Sequence, residues 1–110
     1  MAEKRTYSKY CEEAAILLGK QIKAARLRRS WSQTMLCERA GISRVTLQRI
    51  ETGDLRTAIG LFFEVAVLVG IRLFQEDKRS LGDRISSLED QITLLPKPSP
   101  ISDKDFDDDF

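Results

Sequence analysis

Between residues 32 and 53 the sequence SQTMLCERAGISRVTLQRIETG leaves few ways to fold, because its caps and apolar spacings divide it into two short helices around a tight turn. Ser32 is a good N-cap, since its hydroxyl can accept a hydrogen bond from an amide of the first helical turn. Met35, Leu36 and Ala40 form one apolar face, and Gly41 can take the positive φ that ends a helix. Ser43 then caps a second helix, in which Leu47 and Ile50 point inward together at i,i+3 spacing. Arg44, Val45, Thr46, Gln48 and Arg49 are left mostly on the outside, and Gly53 stops the helix. A helix with two outward arginines and no packing duty on that face suits entry into a nucleic-acid groove.

The rest of the chain supplies a frame for this unit. Residues 7–29 read as one long helix, with Ala14, Leu18, Ile22 and Ala25 on one face. Its first half, YSKYCEEAAIL, either lengthens that helix or lies against a partner. At 110 residues and 42% apolar composition the chain can bury one small core. The net charge of +1 conceals an asymmetry: residues 1–79 carry 15 Lys and Arg against 9 Asp and Glu, whereas residues 80–110 carry 3 against 8. A basic body suits a polyanion, and an acidic tail suits solubility or a basic partner.

Several function classes are disfavoured. Cys11 and Cys37 lack CxxC spacing and the chain has no His, which speaks against a zinc site or a paired-thiol redox centre. No cofactor or metal is expected, and Cys37 reads as a small buried hydrophobe. There is no GxGxxG or GxxxxGK phosphate loop and no nucleophile set beside a plausible base, so no catalytic residue is assigned and an enzyme is not expected. The longest apolar stretch, residues 61–71, is too short to span a membrane and contains Glu64. No signal-peptide pattern is visible, so the expected location is the cytoplasm.

Beyond Gly53, Thr57 is positioned to cap a helix over residues 58–69. Ile59, Phe62, Phe63, Ala66, Val67 and Val69 are too numerous there for one apolar stripe, and the excess points to a dimer interface. Ile71–Phe74 reads as a short strand, which needs a partner strand and finds one economically in its copy across a two-fold axis. Leu81, Ile85, Leu88, Ile92 and Leu95 form an a/d seam of about two heptads over residues 80–95. That helix packs on its own domain, self-associates or enters a partner groove. Pro96, Pro98 and Pro100 end regular structure, and the acidic segment after them is expected to be disordered. Ile101, Phe106 and Phe110 are hard to justify in a purely solubilising tail, so docking on a basic, apolar cleft stands beside solubility as a reading.

The segment from LGKQIKAARLRRSWSQ to the closing RIETG resembles the helix-turn-helix of Cro/C1/Xre-type phage repressors, over residues 17–70. Leu18, Ile22, Leu36, Ile42, Leu47 and Ile50 match its apolar positions, along with Gln33, Gly41 and Glu51. The resemblance implies an all-α, lambda-repressor-like bundle, here with a short C-terminal strand for intersubunit pairing and an extra C-terminal helix. It also implies an internal ion pair between Arg26 and Glu51, and an apolar packing role for Trp31. The expected organisation is an N-terminal helical extension (1–16), the DNA-binding and dimerisation domain (17–79), an amphipathic helix (80–95) and a disordered acidic tail (96–110). Within the class, TAIGLFFEVAVLVGI followed by IRLF looks most like HipB-like antitoxins of HipA-type toxin–antitoxin systems. That likeness implies operator autoregulation together with neutralisation of a HipA-like serine/threonine kinase toxin.

Site assignments follow from chemistry and from the resemblance. Arg44, Val45 and Arg49 are expected at base edges, where arginine binds guanine O6 and N7 and valine meets a thymine methyl. Gln33, Ser43 and Thr46 match phosphate-holding positions of the family, Gln48 joins them as a candidate phosphate contact, and Lys23, Arg28, Arg29, Arg39 and Arg56 are weaker candidates. Phe62, Phe63, Ile71 and Leu73 are assigned to dimerisation, and Phe106 and Phe110 to a partner-binding tail. One recognition helix reads few base pairs, so a homodimer on an inverted-repeat operator in double-stranded DNA is expected. A stand-alone Xre-family regulator, or an interaction module on the repressor fold, is the competing reading.

Overall fold

The computed structural model describes residues 5–74 and 80–98. Five α-helices follow one another: α1 (Lys9–Arg28), α2 (Gln33–Ala40), α3 (Arg44–Thr52), α4 (Ile59–Leu68) and α5 (Leu81–Leu94). The chain divides into two compact units, Met1–Gln75 and Glu76–Phe110.

Serine caps begin four of the helices. Ser8, Ser32, Ser43 and Ser80 are all extended, and each side-chain oxygen accepts from the backbone amide three residues on. The satisfied amide would otherwise lack an intrahelical partner. At the C-termini of α2 and α3, Gly41 (φ 69°) and Gly53 (φ 80°) adopt the left-handed conformation and reverse the chain. Helix α4 differs, because its N-cap is Ala58 and no side chain bonds its first turn. Thr57 therefore does not cap it, contrary to the sequence expectation.

The core of the first unit forms where the inward faces of α1 to α4 meet. Ile22, Leu36, Leu47, Ile50 and Val65 are fully buried, with Ala25, Cys37, Phe62, Ala66 and Val69 completing the cluster. Gly19 lets α1 and α3 touch: a Cβ there would lie 2.5 Å from the Ile50 carbonyl oxygen and 2.7 Å from that of Glu51. Trp31 packs against the core as a half-buried residue, with the Arg39 guanidinium 4.5 Å from its ring centre.

The expected strand at residues 71–74 does not form, and no strand occurs among the described residues. A strand exists only through a hydrogen-bonded neighbour, and these helices expose no sheet edge for it to join. Ile71 and Leu73 instead pack against the core of their own chain, and Phe74 meets Phe63 edge-on at 6.4 Å.

In the second unit, α5 has no buried residue. Leu81, Ile85, Leu88 and Ile92 lie along it with large exposed areas. The helix stops because Leu95, before Pro96, is extended (φ −78°, ψ 147°), the conformation that a following proline favours.

Candidate nucleic-acid interface

The α2–turn–α3 unit is fixed from both ends. Across the turn, the Gly41 and Ile42 amides both donate to the Cys37 carbonyl, at 2.8 and 3.1 Å. The Ser43 hydroxyl then opens α3 by accepting from the Thr46 amide at 3.1 Å, and it donates to Thr46 Oγ1 at 3.0 Å. Leu47 and Ile50 anchor the inner face, so the outer face carries the exposed side chains of Arg44, Val45, Gln48 and Arg49. Val45 is 56% exposed among them. Thr46 is half-buried beside them.

Behind this face runs a chain of hydrogen bonds. Arg44 Nη2 donates to Gln33 Oε1 at 2.9 Å, and its Nη1 donates to Thr34 Oγ1 at 3.3 Å. Gln33 Nε2 in turn donates to Glu51 Oε1 at 3.4 Å. Glu51 is held by Arg26, whose Nε donates to Oε2 at 2.7 Å and whose Nη2 donates to Oε1 at 3.2 Å. The third nitrogen of Arg26 donates to the Trp31 carbonyl at 2.9 Å. Arg26 and Glu51 are the buried charged residues among those described. They pair through two hydrogen bonds, and Trp31 and Gln33 supply further partners, so that the desolvation of the buried charges is offset. The network brings Gln33 and Arg44 together and ties both to the core. Arg44 uses only part of its N–H fork on α2 and keeps the rest for another acceptor.

The remaining cations are placed differently. Lys23 and Arg28 are exposed on α1, and Arg29 joins Arg39 on the Trp31 ring, 5.7 Å from its centre. Arg56 is engaged by Asp54 through Nε to Oδ1 at 3.1 Å and Nη2 to Oδ2 at 2.9 Å. The Arg56 side-chain hydrogen bonds, helped by the Arg56 backbone amide, hold the Asp54 carboxyl down at about 2. Part of that arginine's charge is thereby neutralised locally. Burial pushes the Cys37 thiol above its ordinary range, which keeps it protonated within the core.

Of the residues assigned to dimerisation, Phe62 is buried in its own chain's core, Ile71 and Leu73 pack against that core, and Phe63 is half-buried. Phe106 and Phe110 lie outside the described residues. Thr34 was not singled out from sequence, and its bond to Arg44 spans ten residues. Its place beside Gln33 in the first turn of α2 was the available signal. Among the described residues no group of three or more His, Cys, Asp or Glu is placed to hold a metal ion, and no helix is long and apolar enough to cross a membrane.

Comparison with known proteins agrees with this geometry. Residues 22–73 match a helix-turn-helix family model. A search of curated protein sequences finds no match. Three solved structures superpose with a TM-score of 0.51. They are an MDT protein at 21% identity, a HipB variant–O2 20mer complex at 20%, and a HipA–HipB–O2–O3 complex at 21%. The superpositions cover 70%, 71% and 70% of this chain, respectively, and 100% of each matched chain. Residues 22–73 are thus similar to the helix-turn-helix family, and the chain shares the fold of the HipB structures.

Proposed function

We propose that this protein is a sequence-specific DNA-binding transcriptional repressor, with α3 as its recognition helix. The observation that carries the reading is the outward set Arg44, Val45, Gln48 and Arg49 on a helix whose inner face is locked into the core, with Arg44 braced by Gln33. Arg44 and Arg49 read guanine in the major groove, each good bidentate pair contributing roughly 1–3 kcal/mol of discrimination. Ser43 and Thr46 at the N-terminus of α3, with Gln33, Gln48, Lys23 and Arg28, hold phosphates and fix the register. The protein works as a homodimer on an inverted repeat, because a single α3 spans too few base pairs for a unique site.

The same fold in the HipB–O2 and HipA–HipB–O2–O3 complexes supports a more specific role. In that role the protein is the cytoplasmic antitoxin of a type II module that represses its own operon and neutralises a HipA-like kinase toxin. Operator selection from a random duplex pool, followed by binding of the Arg44→Ala/Arg49→Ala variant, tests the DNA reading. An enriched inverted repeat that the folded double variant no longer binds is expected. Unchanged binding would remove α3 from the reading role. Copurification of a kinase with the untagged native protein tests the antitoxin role, and a kinase absent from the operon and from the eluate would reduce the function to repression alone.

A further inference from the structure

Helix α5 buries none of its residues, yet a continuous apolar seam runs along it. Leu81, Ile85, Leu88, Ile92 and, just past the helix end, Leu95 are each between 47% and 65% exposed. Apart from Leu94, the other sides carry polar residues, among them Asp83, Ser86, Ser87, Asp90 and Thr93. The exposed apolar area is therefore one stripe rather than a scatter. An isolated helix of 14 residues is marginal in water, so contact along this stripe would stabilise it. Spacings of four, three, four and three keep the stripe in line with a second helix over its whole length.

The residues in the seam select what covers it. Its spacing puts Ile85 and Ile92 at heptad positions a, and Leu81, Leu88 and Leu95 at positions d. A β-branched residue at a with leucine at d favours two parallel strands, whereas the reverse order, or isoleucine at both, favours three or four. The charges beside the seam agree. Arg84 falls at g and Glu89 at the following e, positions that face each other between parallel helices in register. Arg84 of each copy then meets Glu89 of the other, twice over by two-fold symmetry. Turning one helix around, with Leu81 on Ile92 and Ile85 on Leu88, sets Arg84 against Gln91 and Glu89 against Gly82. That arrangement has no charge pair.

We propose that α5 pairs with α5 of a second copy as a parallel, two-stranded coiled coil, with Arg84 of each copy bound to Glu89 of the other. Two heptads pair weakly alone, and the homodimer proposed above raises the effective concentration of one α5 beside the other, so the inference rests on that reading for its affinity. The test uses the full chain carrying Cys11→Ser and Leu95→Cys, in which the remaining native thiol, Cys37, is buried. Parallel pairing sets the two introduced thiols side by side at the helix ends, and a disulfide-linked dimer should form in a glutathione redox buffer. Arg84→Glu or Glu89→Arg should each reduce it, because like charges then face each other. Mixed in equal amounts, these two variants should link to one another about tenfold more than either links to itself, since both pairs across the mixed dimer are opposite in sign. Combining Arg84→Glu and Glu89→Arg in one chain should restore self-linking, which separates loss of the pair from loss of the helix. A statistical mixture of products, equal linking by every variant, or none in the parent chain would overturn the proposal. Those are the outcomes if the seam packs on its own domain, pairs antiparallel or enters the groove of another protein. Sedimentation equilibrium tells the two readings apart: a monomer would sink the homodimer and the coiled coil together, whereas a dimer with statistical cross-links overturns the coiled coil alone. DNA binding enters neither readout.

Discussion

Arg44 donates to Gln33 across the helix-turn-helix corner, so the first residue of α3 and the first of α2 share a 2.9 Å hydrogen bond. Because Gln33 also donates to Glu51, the orientation of the Arg44 guanidinium is set from the protein side before any acceptor arrives. An arginine held this way loses less conformational entropy on binding than one free in solvent.

The first prediction concerns that brace. Gln33→Ala should weaken operator binding about tenfold and lower the ratio of operator to random-duplex affinity, with the melting midpoint nearly unchanged. Fluorescence anisotropy on the two duplexes measures it, and a fall shared equally by both would show that Gln33 acts only on phosphates.

Arg26 and Glu51 should behave as a unit. Glu51→Leu leaves the Arg26 guanidinium buried and unpaired, and should destabilise the fold by about 3–5 kcal/mol. Replacing both partners, as Arg26→Met with Glu51→Leu, should recover most of that loss because two apolar groups strand no charge. Urea unfolding of the two singles and the double variant forms the cycle, and additive losses would contradict the coupling.

Gly19 should tolerate no side chain. The Ile50 and Glu51 carbonyl oxygens stand where a methyl group would go, and both belong to backbone that cannot rotate aside. Gly19→Ala should cost about 1–3 kcal/mol, overriding the gain in helix propensity. Thermal unfolding reads the sign directly, and a stabilised variant would show that α1 and α3 can separate freely.

Acid should act on the α3–α4 connection through Asp54. Its carboxyl titrates at about 2 in the folded protein instead of the usual 3.8, through the Arg56 hydrogen bonds. A depressed carboxylate contributes stability that is present above the unfolded value and lost as pH falls through the folded one, so the window runs from about 4 down to about 2. Asp54→Asn should flatten the unfolding midpoint across that window. Arg56 is largely exposed, so the effect is small and shrinks in high salt.

Features confined to neighbouring residues were legible in the sequence. Ser32 and Ser43 announce their helices, Gly41 and Gly53 their ends, and Leu47 with Ile50 the buried side of α3, because each depends on positions within one or two turns. The Arg26–Glu51 pair, 25 residues apart, came only from the family resemblance. The Arg44–Gln33–Glu51 relay came from neither, since it depends on how helices face one another. Residues 71–74 misled for the same reason. Ile71 and Leu73 have strand-forming character, yet the core offered them a nearer surface than any second strand.

The close contact at Gly19 also bears on how such a protein can change its target. Helix α3 is seated against Gly19 of α1 through Leu47, Ile50 and Glu51, none of which lies on its outer face, while Val45, Gln48 and Arg49 support nothing in the core and Arg44 reaches it only through Gln33. The inward and outward residues of α3 share no position. Outward residues can therefore be exchanged one at a time without loosening the seat, so a lineage of these proteins can acquire new binding sequences while the scaffold beneath stays constant.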